Sequence, residues 1–294
     1  MRLALPILLL AAGASVSTAQ SPTYVKIADR DVAVWKPASA APAAGYPVIV
    51  FSHGYLGCAT QGTFLMEALA RAGYLVLAPN HKDAACGTAR QQSVGKLLSL
   101  RPEEQFRKDQ DWSDATYKDR ADDVEAILDA VAKGPVIPGA AADIGRVGLA
   151  GHSLGGYTVL GLAGAWPSWK DGDIKAVLAL SPFCTPFLTK GALDKMNVPV
   201  MYQGGTADLE VTPTVKRPKG AYEVSSAPKY FVEFQGAGHF AWTNVNPLFH
   251  DLIDRYSVAF FDHYLKGQQG PDPLAPLLAT PLPRRISDSR VAVK

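Results

Sequence analysis

Gly145-Arg146-Val147-Gly148-Leu149-Ala150-Gly151-His152-Ser153-Leu154-Gly155-Gly156-Tyr157-Thr158-Val159-Leu160-Gly161-Leu162-Ala163 is the stretch whose reading decides the fold. Its first half is an apolar run that reads as a strand, and its second half reads as a helix. Between them lies Gly151-His152-Ser153-Leu154-Gly155, a turn tight enough to need small residues. In a G-x-S-x-G elbow the serine occupies a strained strand-to-helix turn, so its hydroxyl projects above the sheet. Larger side chains at the flanking glycines would collide with the neighbouring strand or helix. A serine that only capped the helix would explain Ser153 alone. It would not explain the other residues that fall in order along the chain.

Working outward, Pro47-Val48-Ile49-Val50-Phe51-Ser52 reads as a buried strand that ends in His53-Gly54-Tyr55-Leu56-Gly57. Val198-Pro199-Val200-Met201-Tyr202-Gln203 is another strand-like run, followed by Gly204-Gly205-Thr206-Ala207-Asp208. Tyr230-Phe231-Val232-Glu233-Phe234 leads into Gly236-Ala237-Gly238-His239. A hydroxyl is a poor nucleophile unless a base takes its proton, and an imidazole oriented by a carboxylate is suited to that task. The catalytic candidates are therefore Ser153, Asp208 and His239, with Glu210 a rival acid two residues beyond Asp208. His53 and His152 read as structural. His81, at the end of the strand over residues 74–80, reads as a pocket-lining candidate, and His250 and His263 fall in a C-terminal helix. There is no H-E-x-x-H and no paired Cys/His spacing, so no metal is expected. Neither a dinucleotide fingerprint nor a phosphate-cradling loop occurs, and no cofactor is expected.

The N-terminus reads as a secretory signal over residues 1–19. Arg2 supplies the positive end, residues 3–12 form a short apolar core, and Ser17-Thr18-Ala19 precedes the cleavage point. That core is shorter than the roughly 20 residues a membrane span needs, so no stable membrane anchor is expected. A secreted or periplasmic location follows. The chain has 294 residues and a formal net charge of +2 with both signs interspersed, which gives no footprint for nucleic acid. Three cysteines in an oxidising compartment suggest one pair and one free thiol. Cys58 and Cys86 follow two strands expected to be neighbours, so they are the expected pair, with Cys184 left over.

Strands alternate with helices along residues 20–266, which predicts one α/β domain. Residues 24–27 and 31–35 look like an opening hairpin. Helices are predicted over 63–72 and, strongly amphipathic, over 114–133. Residues 82–113 are too long for a simple connection. One or two short helices are expected there beside the site, with Leu97, Leu98, Leu100, Phe106 and Trp112 covering apolar surface. Residues 211–228 are a second insertion that could shape the pocket, and neither insertion is long enough for a large lid domain. Residues 267–294 are rich in proline and read as an irregular tail.

The set His53-Gly54-Tyr55, Gly151-His152-Ser153-Leu154-Gly155-Gly156, Asp208 and Gly238-His239 resembles the α/β-hydrolase superfamily over roughly residues 45–265. Within it, the chain resembles the branch that holds dienelactone-hydrolase-like, polyester-hydrolase (cutinase-like) and platelet-activating-factor acetylhydrolase-like proteins. Leu77-Ala78-Pro79-Asn80-His81-Lys82-Asp83 and Tyr117-Lys118-Asp119-Arg120-Ala121-Asp122-Asp123 look like segments of the acetylhydrolase group. The resemblance implies a mostly parallel central sheet with helices on both faces, and a serine carboxylic-ester hydrolase working through an acyl-enzyme. It implies an oxyanion hole made by the backbone N–H groups of Tyr55 and Leu154. Dienelactone hydrolases proper use a cysteine where this chain has Ser153. After His239 the sequence Phe240-Ala241-Trp242-Thr243 lacks the cysteine usual in polyester hydrolases. Pocket candidates are Tyr55, Phe183, Phe240, Trp242 and His81, around a small-molecule or lipid-like ester. A peptidase or amidase on the same residues, and a binding module that kept the fold without catalysis, are the competing readings.

Overall fold

A computed structural model of the protein describes residues 21–86, 104–134, 136–267, 274–279 and 281–293. The expected signal over residues 1–19, together with Leu97, Leu98 and Leu100, lies outside the described residues.

In chain order the main elements are β1 (Thr23–Ile27), β2 (Arg30–Trp35), β3 (Tyr46–Ser52), α1 (Thr63–Arg71), β4 (Leu75–Pro79) and α2 (Lys118–Lys133). There follow β5 (Ala142–His152), α3 (Leu154–Leu160), β6 (Ile174–Leu180), β7 (Val200–Gly205), β8 (Lys229–Phe234), α4 (His250–Leu265) and β9 (Ile286–Ala292). The strands form one sheet in the order β1-β2-β4-β3-β5-β6-β7-β8-β9. From β4 through β8 neighbouring strands are parallel, and antiparallel pairs lie at the two ends. This mostly parallel sheet with helices on both faces is an α/β-hydrolase fold.

The strand sequences follow from two-sided burial. Along β3, Val48 and Val50 pack on one face with Val124, Ile127 and Leu128 of α2 and Tyr157 of α3. Ile49 and Phe51 point to the other face, with Leu65 and Leu69 of α1 and Ile253 and Phe260 of α4. A strand covered on both faces must be apolar at every position, which is why β3 reads as an unbroken run. Each fully buried Leu, Ile, Val or Phe adds roughly 1.5–3 kcal/mol.

Two expectations need correction. The helix expected from residue 114 begins at Lys118, after Tyr117 takes a left-handed φ of 58°. The preceding carbonyls are used by distant partners: Trp169 Nε1 donates to the Asp114 carbonyl at 2.7 Å, and the Tyr157 hydroxyl to the Thr116 carbonyl at 3.0 Å. The irregular tail is also not irregular throughout, because Ile286–Ala292 forms β9 and pairs antiparallel with β8. Its order comes from main-chain pairing with β8 and not from an apolar pattern of its own; only Ile286 within it is buried. No helix among the described residues is long and apolar enough to cross a membrane.

Helix α4 carries one group at odds with its surroundings. Burial pushes the Asp254 carboxyl up to about 7; Arg71 offsets this only in part, and Asp251 and Glu67 add to it. Its Oδ1 has no hydrogen-bond partner among the described residues. The ordinary aspartate value in an unfolded chain is near 3.9, so between about pH 4 and 7 the folded state holds a proton that the unfolded state releases. Stability from this group therefore falls as pH rises through that window, by an amount of order 4 kcal/mol, and levels off above it. Asp254→Asn should remove this dependence. Urea unfolding of both proteins should show the variant's advantage growing from pH 5 to pH 8; a constant difference would refute the assignment.

Candidate active site

The elbow has the strained geometry its sequence implies. Ser153 follows β5 with φ 55°, outside the usual range for a residue with a side chain. It is held there by backbone bonds: its N–H donates to the Leu180 carbonyl at 3.0 Å, and its carbonyl accepts from the Phe183 N–H at 2.9 Å. A Cβ on Gly151 would lie 2.2 Å from the Gly155 carbonyl oxygen, and one on Gly155 would lie 1.9 Å from that of Ser52. No side chain fits at either position, so the glycines are a steric requirement of helix α3 meeting β5 and β3.

Two neighbouring strand exits deliver the other groups. His239 follows β8 and Asp208 follows β7. The Ser153 Oγ lies 2.9 Å from His239 Nε2, and His239 Nδ1 lies 3.2 Å from Asp208 Oδ1. Asp208 is buried, and its Oδ2 accepts hydrogen bonds from the hydroxyls of Ser181 at 2.5 Å and Thr212 at 3.0 Å. Burial alone pushes the Asp208 carboxyl up, but the hydrogen bond and charge of His239, with the two hydroxyls, outweigh it and hold the group below its ordinary value. Asp208 thus stays ionised. Glu210 lines the same cleft, while it is Asp208 that reaches the imidazole.

His152 works beneath His239. Its Nε2 lies 2.9 Å from the His239 carbonyl. A carbonyl can only accept, so Nε2 carries the proton. Burial pushes the His152 imidazole down to about 3, so it remains neutral.

The loop after β3 is braced by a buried polar network. Arg120 of α2 is wholly buried and donates to the carbonyls of His53 (2.8 Å) and Gly54 (3.3 Å), and to both carboxylate oxygens of Asp83. Asp83 Oδ2 in turn accepts the Leu56 N–H at 3.2 Å, and Gln61 Oε1 accepts the Gly54 N–H at 2.8 Å. Burial raises the Asp83 carboxyl, and the charge and hydrogen bonds of Arg120 reverse this and hold it below its usual value. The His81 N–H donates to His53 Nε2 at 3.1 Å, so the His53 proton is on Nδ1, which faces the Gly54 carbonyl at 2.8 Å. Burial and the nearby Arg120 charge keep both imidazoles neutral. Tyr55 lies in the middle of this braced loop. Leu154 opens α3, where a first-turn N–H has no acceptor within the helix. Cys58 and Cys86 are joined in a disulfide that ties the β3 and β4 exits together, and Cys184 is free and buried.

The site opens into a cleft of about 690 Å³. Ser153, Asp208 and His239 lie along it with Tyr55, Phe106 and Phe183 on one wall and Leu209, Val211 and Phe240 among the other lining residues. The wall rings touch: Tyr55 and Phe106 are 5.2 Å apart between centroids, as are Phe106 and Phe183. Leu209 is 77% exposed and Phe240 51% exposed, so this bank of the cleft faces solvent.

Two pocket candidates are displaced from the cleft. Trp242 is buried; its ring stacks near His152 and its Nε1 donates to Gln203 Oε1 at 3.0 Å. The turn over His239–Trp242 points His239 outward and carries Trp242 into the core. His81 is buried with Ser52 Oγ 2.9 Å from its Nε2 and Asp123 Oδ2 2.8 Å from its Nδ1, so its ring belongs to the bracing network. The sequence reading missed Ser181, Thr212 and Gln61. Ser181 had a signal, since it follows an apolar strand run as Ser153 does. For Thr212 and Gln61, no sequence pattern pointed to them.

A family model described as PET hydrolase-like matches residues 97–274, more than half of the chain. The chain belongs to the PET hydrolase-like family. A second model, platelet-activating factor acetylhydrolase, isoform II, matches residues 14–129, which contain the braced loop and Arg120. This PET hydrolase-like chain is 32% identical over 125 residues to Cutinase 1 of Thermobifida cellulosilytica, covering 42% of this chain and 42% of that protein. It is 32% identical over 125 residues to a cutinase of Thermobifida fusca, covering 42% of this chain and 37% of that protein. The match thus spans about two fifths of the length of these curated relatives.

Proposed function

We propose that the protein hydrolyses carboxylic esters through an acyl-enzyme on Ser153. The observation that carries this reading is the 2.9 Å contact between Ser153 Oγ and His239 Nε2 at the floor of an apolar-walled cleft, with ionised Asp208 at the far nitrogen. As Oγ bonds to the ester carbonyl carbon, His239 takes the hydroxyl proton at Nε2 and Asp208 stabilises the imidazolium. The N–H groups of Tyr55 and Leu154 hold the negative carbonyl oxygen, each contributing about 3–4 kcal/mol at the transition state. Collapse breaks the bond to the alcohol, which leaves with the imidazolium proton. Water then repeats the sequence and frees the acid, so the cycle consumes no cofactor. The family description, the cutinase relatives and the apolar walls support an apolar ester, with polyesters within reach of the open bank. The apolar N-terminus and the Cys58–Cys86 bridge support export to an oxidising compartment.

The test is hydrolysis of p-nitrophenyl esters from acetate to palmitate beside a matched p-nitroanilide, with a fluorophosphonate to label the serine. We expect ester turnover well above anilide turnover and a label that maps to Ser153. Faster anilide cleavage would make the protein an amidase. Absence of both turnover and labelling would leave a binding module.

A further inference from the structure

The proposed triad contains a fourth polar group. Ser181 follows β6 directly, adopts a φ of 43°, and is fully buried, with its N–H donating to the Gln203 carbonyl at 2.8 Å. Its Oγ lies 2.5 Å from Asp208 Oδ2 and 2.8 Å from His239 Nδ1. An ionised carboxylate can only accept, so the Ser181 hydroxyl donates its hydrogen bond to Asp208 Oδ2 and keeps its proton. That leaves the Ser181 oxygen to accept, and His239 Nδ1 must then be the donor. This agrees with the other end of the ring, where Nε2 has to be free of a proton to receive the one from Ser153. The Nδ1–H is therefore shared between Asp208 Oδ1 at 3.2 Å and the nearer Ser181 Oγ at 2.8 Å.

We propose that Ser181 is a positioning residue for ester hydrolysis, closing an Asp208–Ser181–His239 ring of hydrogen bonds that fixes the imidazole for Ser153. The inference rests on the catalytic reading above. Two anchors on Nδ1–H from different strand exits restrict ring rotation more than one anchor does. The Thr212 hydroxyl and Ser181 together fix the carboxylate from its other oxygen. The serine also spends part of the carboxylate's hydrogen-bonding capacity, so Asp208 meets the imidazole at a longer distance than a direct charge-assisted bond would allow. Ser181 does not line the cleft, so it acts through His239 and not on substrate.

The experiment measures kcat, KM and the low-field Nδ1–H proton resonance of His239 in wild type and in Ser181→Ala, Ser181→Gly and Ser181→Cys. Misplacement of a catalytic group on the ångström scale costs up to about 100-fold, so kcat in the Ala and Gly variants should fall about 10- to 100-fold. KM should stay within about twofold, the pattern of an interaction lost from the transition state alone. The resonance should move, because Nδ1–H then turns to Asp208 alone. Ser181→Cys, which keeps a weak donor, should fall between these and wild type. Glycine suits the left-handed backbone at this position, so it carries the test if alanine does not fold. Wild-type kcat and an unmoved resonance in a folded Ala or Gly variant would overturn the proposal. A wild type without esterase activity would instead overturn the catalytic reading itself.

Discussion

Ser153→Ala should lower kcat for a p-nitrophenyl ester by about a million-fold, the scale on which loss of a triad serine acts. The change removes the atom proposed to form the acyl-enzyme, while adding no bulk to the braced loop, the first turn of α3 or the cleft. Residual turnover then comes from water attacking a bound and polarised ester, about a thousandfold above the uncatalysed rate. His239→Ala should cost a similar factor, and the double variant should cost little more than either alone, because the two groups act as one unit. Steady-state rates on the same ester decide the matter. A loss below about a hundredfold in Ser153→Ala, or losses that multiply in the double variant, would mean that the 2.9 Å contact between Ser153 and His239 is not catalytic.

Arg120→Ala should destabilise the protein by about 3–5 kcal/mol, because it breaks a buried ion pair by removing one partner. The loss strands Asp83 beside a neutral loop and leaves the His53 carbonyl without its 2.8 Å donor. Arg120→Lys should recover little. A single ammonium cannot reproduce a planar fork that reaches two carbonyls and a carboxylate at once. Urea unfolding gives the magnitude. A change under about 1 kcal/mol in Arg120→Ala would mean that water or rearranged side chains replace the guanidinium at no cost, and that the loop carrying Tyr55 is not held from below.

How much of this was legible in the sequence depended on whether the information was local. The elbow around Ser153 was readable because steric exclusion at Gly151 and Gly155 leaves a local sequence trace. Asp208 and His239 were readable as the polar residues at exits of apolar runs, and the Cys58–Cys86 pair as thiols at exits of adjacent strands. Trp242 was misplaced because nearness to His239 in sequence does not say whether an indole lines the cleft or packs beneath it, beside His152 and Gln203. His81 was misplaced because a strand exit does not say whether an imidazole faces the cleft or turns inward to Ser52 and Asp123. Strand β9 was missed because its order is supplied by the backbone of β8. Ser181 stands at a strand exit like Ser153, but without flanking glycines it carried no sign that its hydroxyl would meet both Asp208 and His239.

The two banks of the cleft should evolve at different speeds. Tyr55, Phe106 and Phe183 interlock ring against ring, so enlarging or trimming one displaces the next, and their substitutions will couple energetically. Leu209 and Phe240 project toward solvent and support no core. Changes at such exposed positions cost less packing than changes in the wall. A lineage adapting to a new ester can therefore explore the solvent-facing bank one residue at a time, whereas reshaping the aromatic wall requires several substitutions to arrive together.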